Sequence, residues 1–269
     1  MEARHVRTMR GLQWIVSGFY FFREAPLNLI LLCFTYLLIG ATLGLVPLLG
    51  SFIGTLTLPA FIAGIMVALR QLDLNNKLEL EYLFIGFRQN TVALITVGGI
   101  YLIGDVLIIG FFMLMGGDAL VDMWLYGKRF QENELAAIMD DALSAILFSL
   151  LLAIPLMMAV WFAPMLVMFE KIPPVLAMRI SFFACLKNLF AFQLYFIVLI
   201  ILAVLAAIPY GLGFILLFPI AFASVYISYK DIFHYEDDVT PESESESESE
   251  SESETPPAQN EGNGNNRIE

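Results

Sequence analysis

Six long apolar stretches separate short polar segments along the chain, at roughly 27–46, 51–69, 91–115, 138–168, 190–208 and 211–229. A hydrocarbon core about 30 Å thick asks for about 20 apolar residues per helix, so each stretch predicts one membrane-spanning helix. Gly44–Ser51 (GLVPLLGS) and Ile208–Gly213 (IPYGLG) are short uncharged turns. Proline lacks a donor and glycine frees φ, which is how so apolar a run can reverse direction. The first and second spans, and the fifth and sixth, therefore form tight pairs. A longer polar loop, Gly116–Leu135, joins the third and fourth.

Each pair is preceded by a shorter segment whose apolar and polar positions alternate at helical spacing: Gly11–Glu24, Leu78–Asn90 and Pro174–Leu189. In the first, Trp14, Ile15, Gly18, Phe19 and Phe22 mark one face. In the third, Leu176, Ile180, Phe183 and Leu186 do so. Amphipathic helices of this kind lie in the membrane interface, or pack on the bundle as connectors, and the two roles are compatible.

A six-residue signature, Phe-x-x-apolar-basic-polar, recurs once in each segment: Phe19–Glu24, Phe84–Gln89 and Phe183–Asn188. It aligns Arg23, Arg88 and Lys187. The first and last units match further, Pro47 with Pro209 and Pro59 with Pro219, then Arg70 with Lys230, followed by Asp73 or Asp231. The expected fold is an all-α integral membrane domain over 1–234. It has three helical hairpins, each led by a cytoplasmic amphipathic helix, in a parallel pseudo-repeat.

Charge placement orients this arrangement. Arg4, Arg7, Arg10, Arg23, Arg70, Lys77, Arg88, Lys171, Arg179, Lys187, Lys230 and Arg267 fall on one side, and only Lys128 and Arg129 on the other. By the positive-inside rule both termini are expected in the cytoplasm. The basic N-terminus precedes the first span at a distance, with no small-residue cleavage site, so that span reads as permanent. The formal net charge of −12 belongs to the tail. From Tyr235 onward there are twelve acidic residues and one basic, against fourteen and thirteen before it. Alternating Ser-Glu from Glu242 to Glu254 has nothing to bury and repels itself, so 235–269 is expected to be disordered.

The chain resembles a family of uncharacterised six-span inner-membrane proteins of proteobacteria. The likeness rests on Gly18-Phe19, Pro47-Leu48-Leu49-Gly50, Trp161-Phe162-Ala163-Pro164 and, most specifically, Tyr226-x-Ser228-Tyr229-Lys230-Asp231-Ile232-Phe233. It covers roughly 10–234. More distantly, the arrangement is similar to the membrane domain attached to some glycerophosphodiesterases. The resemblance implies a fold and a bacterial inner membrane, and brings no catalytic or binding residues with it.

Candidate chemistry is sparse. Asp105 is the one ionisable residue well inside a span, where an acid costs about 2.5–3.5 kcal/mol on insertion scales. It therefore marks an ion or proton pathway, or hydrogen-bonds to Tyr101 or a neighbouring helix. Asp118, Asp122, Glu132, Glu134, Asp140 and Asp141 precede or open the fourth span, where the helix dipole favours acids. They match no calcium loop. His5 and His234 are far apart, and Cys33 and Cys185 lack metal-ligand spacing, so no metal, cofactor or catalytic residue is expected. Pro59, Pro155, Pro164 and Pro219 are expected to interrupt spans. Gly98, Gly99, Gly104 and Gly110 are expected to allow close helix contact.

An enzyme is the least favoured class, and nothing calls for nucleic acid. The sequence favours a protein that organises membrane lipids or other membrane proteins through Arg23, Arg88 and Lys187. The alternative is a small-solute or ion transporter with Asp105 in its pathway.

Overall fold

A proline within the first two positions opens three of the helices, where its missing N–H costs nothing. The computed structural model describes residues 3–46, 48–126 and 132–234, the side chains of 124–126, 132–138, 140 and 141 excepted. Ten α-helices follow in order among the described residues: α1 Arg10–Glu24, α2 Pro26–Gly44, α3 Leu49–Asp73, α4 Thr91–Phe112, α5 Asp118–Tyr126, α6 Glu132–Trp161, α7 Ala163–Phe169, α8 Pro174–Lys187, α9 Leu189–Ala207 and α10 Phe214–Phe233. Six helical stretches among the described residues are long and apolar enough to cross a membrane: Pro26–Gly44, Leu49–Asp73, Thr91–Met123, Ala142–Phe169, Leu189–Ala207 and Phe214–Phe233. Consecutive spans pack on each other, α2 on α3, α4 on α6 and α9 on α10. The chain is a multi-pass membrane protein, all-helical among the described residues.

Several elements depart from expectation. The second surface segment is a 3₁₀ helix, Leu80–Phe87, where the amphipathic pattern suggested an α-helix. It lies so close to α3 that a methyl group at Gly86 would overlap the Ala60 carbonyl, and one at Gly64 the Leu83 carbonyl. Backbone contact of this kind dictates the path more strongly than side-chain periodicity does. The polar loop after the third span is largely helical: a π turn at Met113–Gly117 leads into α5, whose first turn carries Asp118. Residues 127–131, with Lys128 and Arg129, lie outside the described residues, as do Pro47 and 235–269.

Helices α3 and α10 run through Pro59 and Pro219, and α6 through Pro155. The break comes at Phe162, between α6 and α7. There the Ser181 hydroxyl of α8 enters the ladder, accepting from Phe162 N at 2.9 Å and donating to Met158 O at 2.7 Å. A side chain thus replaces the backbone bond lost at the bend.

The core gathers at one end. The stretches following Pro59, Pro164 and Pro219 hold nearly half of its buried residues, among them Ala63, Ile65, Met66, Leu69, Met165, Leu166, Tyr226 and Tyr229. The surface elements wall this core in a regular way. Helix α1 packs chiefly on α10, the 3₁₀ helix chiefly on α3, and α8 chiefly on α6; each touches the span it leads into only lightly. At Gly18 any larger residue would meet the backbone of Ile220 and Ser224. Gly98 and Gly104 are likewise contact points, against Leu56 and Leu156, whereas Gly110 faces open space.

Candidate functional site

The charged end of the bundle is organised by the closing motif of α10. Asp231, whose side chain is 3% exposed, sits at its centre. Its carboxylate accepts from Arg10 Nε at 2.8 Å and Arg10 Nη2 at 2.5 Å, from Trp14 Nε1 at 2.7 Å, and from Arg4 Nη2. Arg4 Nε also donates to the Asp231 carbonyl, and Arg4 N to the Ile232 carbonyl at 3.1 Å. A buried carboxylate is tolerated only when satisfied in this fashion.

The backbone ahead of α1 is thereby laid across the bundle. Buried Asn188 holds its other side, accepting from Val6 N at 2.7 Å and donating to the Arg4 carbonyl at 2.9 Å. Lys187 Nζ donates to the Ala3 carbonyl at 2.7 Å. A second group lies nearer α3. Asp73 accepts from Lys230 Nζ and from the Tyr226 hydroxyl, both at 2.9 Å, and Tyr229 donates to Glu170 at 3.3 Å. The Arg70 guanidinium lies 4.8 Å over the Phe169 ring. These groups consume one another's charge, so the network reads as the device that seals the core. Pairing Arg70 with Lys230 and Asp73 with Asp231 by alignment was the sequence signal for it, but nothing in one dimension said that Lys230 reaches across to Asp73.

Of the candidates from sequence, Arg23, Arg88 and Lys187 are all exposed. Arg88 is paired with Glu81 on the same surface element, both well exposed. The signature phenylalanines are exposed too, Phe19 at 46%, Phe84 at 42% and Phe183 at 53%. This corrects the expected faces. In α1 the buried side is Gly11, Trp14, Ile15, Gly18, Phe21 and Phe22, and Phe19 points away from it. In α8 the buried side is Ala177, Met178, Ser181, Ala184 and Cys185. The larger Leu176, Phe183 and Leu186 stay outside. Small residues permit the close approach to α6, and bulky ones could not. Burial pushes the Cys185 thiol up to about 12, so it stays protonated and unreactive.

Asp105 lies apart from all of these. It is half-buried on α4, one turn from Tyr101, and forms no hydrogen bond or ion pair among the described residues. The expected bond to Tyr101 is thus absent there. The side chains of Glu132, Glu134, Asp140 and Asp141 lie outside the description.

A third feature escaped the sequence entirely. A groove of about 530 Å³ opens between α6, α8 and α9, lined by apolar residues together with Trp161, Cys185 and Gln193. Its residues come from three separate segments, and no periodicity announces it.

No protein-family model matches the chain, and no solved structure does. Among curated proteins it is similar to one from Burkholderia thailandensis named "Probable inner membrane protein", with 28% identity over 264 residues, covering 90% of this chain and 97% of that protein. The likeness therefore extends through nearly the whole membrane region, and agrees with the multi-pass architecture that the six apolar helices define.

Proposed function

We propose that this chain is a non-enzymatic multi-pass protein of a bacterial inner membrane that organises lipids or partner proteins through its basic surface elements. In this reading both termini are cytoplasmic, 1–234 is one membrane domain built from three parallel hairpin units, and the acidic 235–269 is a solvated tail. The observation that carries it is the double face of the surface elements. Each buries one side on the bundle and leaves Phe19, Phe84 or Phe183 outward, with Arg23, Arg88 or Lys187 exposed beyond it. An apolar side chain beside an exposed cation is the chemistry of an element that sits among acyl chains and phosphates. Three such elements at one end of the bundle would form a basic collar.

Replacing Arg23, Arg88 and Lys187 together by Gln tests the collar. Each cation near an anionic surface contributes about 1 kcal/mol, so retention of phosphatidylglycerol in nanodiscs should fall by roughly an order of magnitude or more. Unchanged retention would sink the proposal.

Asp105 supports a second reading, a small-solute or ion transporter, because an acid inside a span forms no hydrogen bond or ion pair among the described residues. Asp105→Asn should then abolish a proteoliposome flux that the parent protein sustains, with folding intact. Equal flux in both proteins, or none in either across a broad panel of ions and solutes, removes this reading.

A further inference from the structure

The fourth span carries more apolar helix than a membrane asks for. Ala142–Phe169 is 28 residues, about 42 Å if unbroken, against a hydrocarbon core of about 30 Å. Pro26–Gly44 and Leu189–Ala207, at 19 residues each, rise about 28 Å and match that core as they stand. The excess is taken up at the break around Phe162, and two different things open the helix there. Pro164 has no N–H to give the Val160 carbonyl, a loss that no rearrangement restores. Two residues earlier, the bond from Phe162 N to Met158 O is open for another reason. The Ser181 hydroxyl stands between them, 2.9 Å from the donor and 2.7 Å from the acceptor. Withdrawing Ser181 would let the two meet.

Each side of this joint is attached to something. On one side is α8, which meets α6 through Ala177, Ser181 and Ala184, with Cys185 Sγ 3.7 Å from the Met158 carbonyl. Its Leu176, Phe183 and Leu186 face outward. On the other side is the end of α7. There the Arg70 guanidinium lies 4.8 Å over the Phe169 ring, Tyr229 donates to Glu170 at 3.3 Å, and the Phe169 and Tyr229 rings are 5.8 Å apart. Helix α7 thus runs from the Ser181 wedge to the charged ends of α3 and α10.

We infer that this joint is a two-state element biased by membrane thickness. In a thin bilayer α8 holds Ser181 in the ladder, the span is bent, and Phe169 and Glu170 stay against Arg70 and Tyr229. In a thick one α8 moves away from the membrane centre with its headgroups and takes Ser181 with it. Phe162 N then donates directly to Met158 O, the span straightens to match the longer core, and α7 swings off α3 and α10. The inference rests on the reading that α8 lies in the membrane interface, but not on the cations of the collar.

The test uses the full-length protein in nanodiscs whose hydrocarbon cores differ by about 6 Å, the spread between thin and thick natural membranes. Spin labels are placed at Met9→Cys and Lys171→Cys, both exposed, while the buried Cys33 and Cys185 stay unlabelled. Met9 adjoins α1, which the Asp231 cluster fixes on α10, and Lys171 follows α7 closely. Passing from the thin to the thick bilayer should change the distance between the labels by about 4 Å, the swing of a 7-residue helix through a kink of about 20°. Ser181→Ala cannot bridge the ladder, so it should give the thick-bilayer distance in both. An unchanged distance in the parent protein overturns the inference. A Ser181→Ala protein that keeps the full response does so too, since the joint would then belong to Pro164 alone. A single label at Leu176→Cys should collide freely with oxygen dissolved among acyl chains. Low collision there removes the interfacial reading and this inference together, whereas high collision with a fixed distance between the first two labels removes the inference alone.

Discussion

Asp231 and Lys230 are neighbours in sequence with opposite positions in the energetics. The Asp231 side chain is 3% exposed and receives Arg4, Arg10 and Trp14. Lys230 and its partner Asp73 are 30% and 26% exposed, so water screens much of their attraction. Removing one partner of a buried charged cluster leaves the others unsatisfied, whereas removing half of a wetted pair does not. Asp231→Asn should therefore cost about 2 kcal/mol, and Lys230→Gln about 0.5 kcal/mol. Differential scanning of the two variants in the same detergent checks the ranking, and equal losses would show that the buried cluster contributes no more than the exposed one. Within the closing motif of α10, Tyr226 and Lys230 both reach Asp73, Tyr229 reaches Glu170, and Asp231 receives Arg4 and Arg10.

At the scale of elements, what the sequence revealed tracks what one-dimensional patterns encode. Six spans were legible because hydrocarbon thickness sets a minimum length of apolar residues, and length survives in sequence. The surface segments were legible as segments, but their faces were not. Trp14, Ile15, Gly18 and Phe22 are buried in α1 as their spacing suggested, while Phe19 on the same supposed stripe is outside. A helix that contacts protein on one side and acyl chains on the other is apolar on both, so periodicity cannot distinguish the two. On α8, though not on α1, where Trp14 and Phe22 go inward, size mostly distinguishes them: Ala177, Ser181 and Ala184 go inward and Leu176 and Phe183 outward. Helix ends were legible only in part. The π turn after α4 and the break at Phe162 depend on Gly116 at φ 95° and on a hydroxyl from another helix. The groove between α6, α8 and α9 was illegible, because Trp161, Cys185 and Gln193 meet only through packing.

At the scale of the whole molecule, the surface elements pack on the span that closes the preceding pair, and for α1 that span is α10, the last in the chain. The first element thus completes a wall around the same core as the last. Two kinds of contact hold it: the Asp231 cluster, and the close approach of Gly18 to the backbone of Ile220 and Ser224. If closure depends on that fit, and not merely on chain continuity, the missing piece should work when supplied separately. A protein lacking residues 1–24 uncovers Tyr195, Ser224 and Asp231, now 1%, 0% and 6% exposed, which meet Trp14, Gly18 and Arg10 of α1. Its thermal midpoint should fall by on the order of 10 °C, a loss of a few kcal/mol in a domain of this size. A synthetic peptide of residues 3–25 should restore most of the difference, and the same peptide with Gly18→Leu should not, since the added side chain would strike the α10 backbone. A truncated protein that melts with the parent would show that the three post-proline stretches hold the core without their outer wall. Rescue by the Gly18→Leu peptide would place the closing energy in the charged cluster alone.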